Sequence, residues 1–235
     1  MKNINLILAA TSFFFASCSS PEPKKVEVEE NTENQYEGIY TSFKLTTDLT
    51  QLSEDEKQVI PILIEAAKIM DGIFWKEAYG DKEGLLGPIE DEHLRQYAKY
   101  NYGPWDRLDG DKPFVEGVGE KPLGSQFYPA DMTKEEFEAW DNPDKTSLYT
   151  FIERDDNGAL KTIWYKEKFG QEVNAAADLL DSASSIIQEE GFKNYLEERA
   201  KALRSDDYFD SDLAWMDMTE NGIDCIIGPI ESRQG

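Results

Sequence analysis

Residues 170–218, GQEVNAAADLLDSASSIIQEEGFKNYLEERAKALRSDDYFDSDLAWMDM, decide the fold class. Val173, Ala176, Leu179, Leu180, Ala183 and Ile187 recur at steps of three and four, the period of one helix face. The pattern divides into three helices, roughly 170–188, 190–204 and 206–218. Ser205-Asp206-Asp207 reads as the cap of the last one, where clustered acids suit the positive end of the helix dipole. Just upstream, Ser147 to Glu153 and Leu160 to Lys166 read as two strands. Between them lies Asp155-Asp156-Asn157-Gly158, a hairpin turn sequence. Downstream, Ile223 to Ile230 is an apolar run broken by Asp224 and ending at Gly228-Pro229-Ile230. It has the composition of a buried strand that needs cover on both faces. The expected class is α+β, with helices dominant.

Toward the N-terminus, Ser53-Glu54-Asp55-Glu56 is a capping box and opens a helix toward Tyr79. Val59, Leu63, Ala66, Met70 and Phe74 share one stripe of it. Ile60, Ile62 and Ile73 lie off that stripe, so more than one side of the helix should be covered. Pro61 should kink the helix or restart it. A short helix is expected from Asp91 to Tyr100. Thr133-Lys134-Glu135-Glu136 is a second capping box, opening a helix to Trp140. Tyr36 to Leu49 alternates loosely, as an early strand or extended segment does. Asn101 to Pro129 is punctuated by glycine and proline too densely for regular structure. It carries Trp105, Phe114, Phe127 and Tyr128, and such loops are functional or packed by their own side chains.

The first 17 residues have the form of a cleavable signal peptide. Lys2 gives the positive start, and Ile4 to Ala16 is apolar but short of the about 20 residues of a membrane-spanning helix. Phe15-Ala16-Ser17-Cys18 resembles the bacterial lipobox, which implies lipidation of Cys18 and anchoring in the cell envelope, at the outer membrane. Several acyl chains give stable anchoring where one does not. Residues 18–35 are rich in Ser, Pro, Glu and Lys and read as a flexible tether before a folded portion, 36–231. Loss of residues 1–17 removes Lys2 and no acid. The 24 basic residues become 23 against 48 acidic ones, a net charge of −25. Such a charge repels phosphate backbones, so no nucleic-acid partner is expected. With Cys18 acylated, Cys225 is the remaining thiol and no internal disulfide can form.

Few residues carry the marks of a chemical site. His93, the single histidine, sits among Glu90, Asp91 and Glu92 and reads as a surface residue. A zinc site needs three or four ligands in fixed spacing, so no metal is expected in this chain. Asp106 to Asp111 places its acids wrongly for a calcium loop. Gly117-Val118-Gly119 has no preceding strand and is no dinucleotide fingerprint. Asp206, Asp210 and Asp217 can share a helix face, but capping and solvation account for them. A G-x-S-x-G nucleophile motif is absent.

A family resemblance rests on several stretches. They are Lys68 to Asp71, Phe74-Trp75, Ala78 to Lys82, Tyr100-Asn101-Tyr102-Gly103-Pro104-Trp105-Asp106-Arg107-Leu108, Gly124 with Phe127 to Thr133, Glu136-Phe137, Asn221 to Asp224 and Ile227-Gly228-Pro229-Ile230-Glu231. Together they resemble the dipeptidyl peptidase III family in its bacterial lipoprotein-like members. The resemblance implies part of a two-lobed zinc exopeptidase fold that releases dipeptides from peptide N-termini. In the family a zinc ion polarises the scissile carbonyl and a Glu activates water. The His-Glu motif that binds zinc lies beyond the region matched, so the chain resembles the N-terminal part alone and is expected to be inactive by itself. Glu231 matches a Glu that holds the substrate's free N-terminus. Arg233 stands where the family has a Tyr, and 232–235 reads as a divergent end of a truncated product or a fragmentary gene model. The alternative is a stand-alone envelope lipoprotein that holds peptide or sugar on its aromatic 101–129 loop. A purely structural lipoprotein is the third reading.

Overall fold

Ser53 starts the first helix. Its hydroxyl accepts the Glu56 N–H, and the Glu56 carboxylate returns to the Ser53 N–H at 2.8 Å. The structure is a computed structural model and describes residues 35–230, with the folded unit running from Tyr36 onward. Residues 1–34, which hold the expected signal peptide and most of the expected tether, and residues 231–235 lie outside the described residues.

The first helix, α1 (Glu54–Ala78), runs unbroken through Pro61. The expected restart does not occur. Pro61 is exposed, so the carbonyl it leaves without a helical donor is open to water. Val59, Ala66 and Ile73 are the fully buried positions of α1. Ile73 thus takes the core place expected of Phe74, which turns aside and meets Tyr102 edge-on at 4.6 Å. Two short helices follow, α2 (Lys82–Leu86) and α3 (Glu92–Asn101), capped by Asp81 and Asp91.

The glycine- and proline-rich stretch contains one short antiparallel pair, β1 (Trp105–Asp106) with β2 (Lys112–Pro113). The rest is held by its own aromatics. Trp105 is buried and donates its indole N–H to the Gly119 carbonyl at 2.9 Å. Gly124 adopts φ +75 and packs against the Tyr128 ring with no room for a Cβ. Phe127 is buried and stacks on Phe151 at 4.7 Å. Trp105 and Phe127 are therefore core residues, which removes them from any ligand platform built on this loop.

Thr133 caps α4 (Lys134–Ala139), but the expected reciprocal box is incomplete. The Glu136 carboxylate pairs instead with the Arg154 guanidinium, two bonds of 2.9 Å. The second hairpin, β3 (Thr150–Arg154) with β4 (Leu160–Trp164), has the expected position. Its turn is closed by the Asp155 carboxylate, which accepts the N–H groups of Asn157 and Ala159, while Gly158 takes φ +82. Four helices complete the fold: α5 (Tyr165–Lys168), α6 (Gly170–Ser184), α7 (Glu190–Ser205) and α8 (Phe209–Asp217). α1 packs on α6, α6 on α7 and α7 on α8, so the core lies between helices. The architecture is α+β and helix-dominated, with two two-stranded antiparallel sheets among the described residues.

Two strand readings fail. Tyr36 to Leu49 forms no strand and pairs with none; it is turn followed by irregular chain. Ile223 to Ile230 is not a strand either. It runs along the helices on one face, with Ile227 buried and Ile223 and Cys225 partly buried, while Ile226 is 77% exposed and Ile230 faces outward. Its apolar count demands burial, but among the described residues no strand lies beside it to supply hydrogen bonds.

Candidate functional site

Glu231, the substrate-binding residue expected from the sequence, and Cys18, the expected lipid attachment point, both lie outside the described residues. The chain that leads to Glu231 is described, and several ties fix it. The Gly222 N–H donates to Glu56 Oε1 at 2.7 Å, so the carboxylate that caps α1 also binds a residue 166 positions away. The Trp215 indole N–H donates to Asp224 Oδ1 at 2.8 Å. The Asn221 amide donates to the Ile223 carbonyl at 2.8 Å. Ile227 then inserts into the core and Pro229 is buried after it.

Beside Gly228 lies the Tyr208 ring. Tyr208 also lines an open cleft of ≈ 540 Å³ together with Tyr149, Trp164, Lys166, Phe209 and Asp212. The sequence gives no hint of this cleft, because its walls come from the β3–β4 hairpin and from the α7–α8 junction. Behind it sits a buried charge. Arg199 lies over the rings of Tyr195 and Tyr208, at 5.4 and 5.2 Å, and donates to Asp212 Oδ1 at 2.6 Å. The available signal was Arg199 itself, a cation on the apolar stripe of α7 with Phe192, Leu196 and Leu203.

Burial sets the protonation states here. It pushes the Tyr195 phenol up to about 12 and the Tyr208 phenol higher still, with Asp206 adding to the latter. The Cys225 thiol is raised by burial and then by Asp224, so it is a poor nucleophile in place. Asp206 was expected in the cap of α8. It instead ends α7 in a left-handed conformation, φ 61, with Oδ2 accepting the Lys166 N–H at 3.0 Å. Burial raises its carboxyl. Helix α8 begins at Tyr208 without a side-chain cap, so Asp206, Asp210 and Asp217 do not form one helix face.

No group of three His, Cys, Asp or Glu side chains among the described residues has the spacing of a metal site. His93 is exposed on α3, far along the chain from the partly buried Cys225. The donor set among the described residues does not fit zinc. No helix among the described residues is long and apolar enough to cross a membrane.

Comparison with known proteins gives the site its context. The structure of a dipeptidyl peptidase III from Caldithrix abyssi matches with a TM-score of 0.73 and 38% identity, over 77% of this chain and 37% of that one. The dipeptidyl peptidase III of Corallococcus sp. strain EGB matches at 0.71 and 34% identity, over 77% and 36%. A Nudix hydrolase 3 of Arabidopsis thaliana is 26% identical over 257 aligned residues, 83% of this chain and 33% of that protein. No family model matches the chain. The chain spans about a third of the length of each of these relatives. Over the matched portion it is related to dipeptidyl peptidase III in sequence and in its helix-rich α+β fold.

Proposed function

We propose that this chain is the N-terminal portion of a membrane-anchored, dipeptidyl peptidase III-like zinc metallopeptidase, one that releases dipeptides from peptide N-termini. The observation that carries the reading is the 38% identical match over 77% of this chain and 37% of a solved enzyme. In this reading Glu231 holds the substrate's free ammonium group through a charge-assisted hydrogen bond. Ile227, Pro229 and the Glu56–Gly222 bond set where the chain enters that position. Zinc and the water-activating Glu belong to polypeptide outside the stretch matched here. Cys18 carries the acyl anchor.

Helix α8 supports the reading from another side. Its buried residues are the small Ser211 and Ala214, while Phe209 and Met216 are 68% and 70% exposed. A helix that turns its large apolar residues outward has a second surface to meet. The remaining polypeptide of such an enzyme supplies it.

The purified full chain is expected to bind no stoichiometric zinc and to leave a dipeptidyl fluorogenic substrate uncleaved. Coding sequence beyond codon 235 should hold a His-Glu zinc motif in some frame. One tightly bound zinc per chain with dipeptide release would overturn the division of labour. Absence of the motif in every frame would overturn the reading as part of an enzyme. Cys18→Ser should move the protein from the membrane fraction to the soluble one, and unchanged fractionation would refute the anchor.

A further inference from the structure

Helix α3 presents His93, Gln96, Tyr97 and Tyr100 at steps of three, four and seven, on one face. The turn at 35–38, with Gly38 at φ +77, lays Tyr36 and Tyr40 across that face. The rings lie close: Tyr36 to Tyr97 at 5.2 Å, Tyr40 to Tyr97 at 5.6 Å and Tyr40 to Tyr100 at 5.0 Å, all tilted. With Glu37, His93 and Gln96 they line a half-open cavity of ≈ 130 Å³. From this we propose that the four tyrosines and Glu37 form a binding site for a small organic cation of the quaternary ammonium class.

Chemistry distinguishes this pocket from ordinary packing. No aliphatic side chain lines it, whereas a pocket left over from core packing is lined by Leu, Ile and Val. Three hydroxyls are engaged by groups that do not line the cavity. Tyr36 donates to the Phe114 carbonyl at 3.2 Å, Tyr97 faces Asp106 and Tyr40 faces Asn101. Ring surface is what these three tyrosines have left to offer a ligand. Aromatic faces carry partial negative charge and attract cations, above all those with diffuse charge and weak hydration. No Lys or Arg lines the cavity to occupy it from within. Arg107, whose charge acts on Tyr40, rests on Phe74 and Tyr102 instead.

Size and charge narrow the ligand. A cavity of about 150 Å³ accepts the six heavy atoms of benzene, so ≈ 130 Å³ admits about five. The trimethylammonium end of choline has that size, and its hydroxyethyl arm is left to the open mouth. A net charge of −24 enriches cations around the molecule and opposes ligands that carry a phosphate. A free quaternary ammonium is therefore favoured over a zwitterionic lipid head group with the same trimethylammonium end.

The test is calorimetric titration of the full chain with choline, with its neutral isostere 3,3-dimethylbutanol, and with phosphocholine. Choline should bind one per chain. The isostere should bind at least roughly tenfold more weakly, the ratio that a cation–π contribution gives, and phosphocholine more weakly than choline. Tyr100 is 47% exposed and replaceable without disturbing the core. Tyr100→Phe should keep the affinity, while Tyr100→Ala and Glu37→Gln should each lower it several-fold. Phe209→Ala, on the distant α8, should leave it unchanged. Equal binding of choline and the isostere, no saturable binding, or an unaffected Tyr100→Ala would overturn the proposal. Tighter binding of phosphocholine would reassign the ligand to a lipid head group and refute the choice made here.

Discussion

Replacing Ile227 with Ala should detach the segment that leads to Glu231 without melting the helices beneath it. Ile227 is the deepest-buried isoleucine of 221–230, and no backbone-to-backbone hydrogen bond joins 223–230 to its surroundings among the described residues. The change removes three carbons, about 2.4 kcal/mol at about 0.8 kcal/mol per buried CH₂. The cavity adds little, because an unpaired segment settles where an enclosed core cannot. A loss of about 2–3 kcal/mol raises the opened population roughly 30- to 160-fold, at about 1.36 kcal/mol per decade. Cys225 reports that population. It is partly buried, its thiol is raised by burial and by Asp224, and in a Cys18→Ser background it is the remaining thiol. Its native-state labelling rate by a thiol reagent at fixed pH should rise by that factor, while helix melting by circular dichroism keeps its midpoint. A rate change below about threefold would show that Ile227 is not the anchor. Joint loss of helix signal and thiol protection would show that the segment and the helices open as one unit.

Three further substitutions test separate parts of the fold. Glu56→Ala breaks both the α1 capping box and the Gly222 tie and should cost about 1–2 kcal/mol in urea unfolding. The Ser53 N–H first, and then Gly222, hold the Glu56 carboxyl below its ordinary value. Its contribution is therefore present above pH 4.5 and should fade as pH falls through the depressed folded value. Arg154 holds the carboxyls of Asp131 and Glu136 below their ordinary range through direct hydrogen bonds. The melting curves of wild type and Arg154→Ala should differ at neutral pH and converge in acid, and parallel curves would refute the pairing. Asp206 has the opposite sign. Its carboxyl is raised by burial, so its contribution is lost as pH rises through the folded value. Asp206→Asn keeps the left-handed preference and an acceptor for the Lys166 N–H; it should melt higher than wild type at neutral pH and alike in acid.

Local rules were legible in the sequence where they had no competitor. Ser53 and Glu56 are three residues apart, and nothing else in the fold could break that box; the fold merely adds Gly222 to it. The Asp155–Gly158 turn is equally self-contained. The same signal at Thr133 and Glu136 is only half realised, because Arg154, 18 residues on, offers the carboxylate two bonds. Asp206 illustrates the limit most plainly. Acids between two helices can cap the second or end the first, and the choice falls to a Lys166 N–H supplied 40 residues away. The 223–230 run was read as a strand covered on both faces, but only Ile227 and Pro229 are buried; a strand also needs a neighbour, and composition does not name one. The tyrosine pocket was illegible for a related reason. Its halves, Tyr36–Tyr40 and His93–Tyr100, lie more than 50 residues apart, and the aromatic stripe of α3 by itself reads as ordinary packing.

The outward face of α8 leads to the last prediction, on how charge keeps the uncovered chain apart from itself. Phe209, Leu213 and Met216 recur at steps of four and three, so they form one face, and all three are exposed. The usual rule would turn this face inward. The side turned to the core carries the small Ser211 and Ala214, and the exposed Asp212 beside them pairs with the buried Arg199. Covering three such side chains is worth roughly 1.5–3 kcal/mol each, comparable in sum with the whole stability of a small domain. Two copies meeting through this face would gain that energy. They would also bring together the carboxylates of Asp210, Asp217, Glu220 and Asp224, on chains of net charge −24. Repulsion between exposed charges reaches about 10 Å at 0.1 M salt but only about 3 Å at 1 M. The chain should therefore sediment as a monomer at low salt and associate as salt rises, with Phe209→Asp monomeric throughout. Salt-independent sedimentation would mean that the apolar face is not sticky enough to need the charge. Association strongest at low salt would mean that the contact is an ion pair between unlike surfaces.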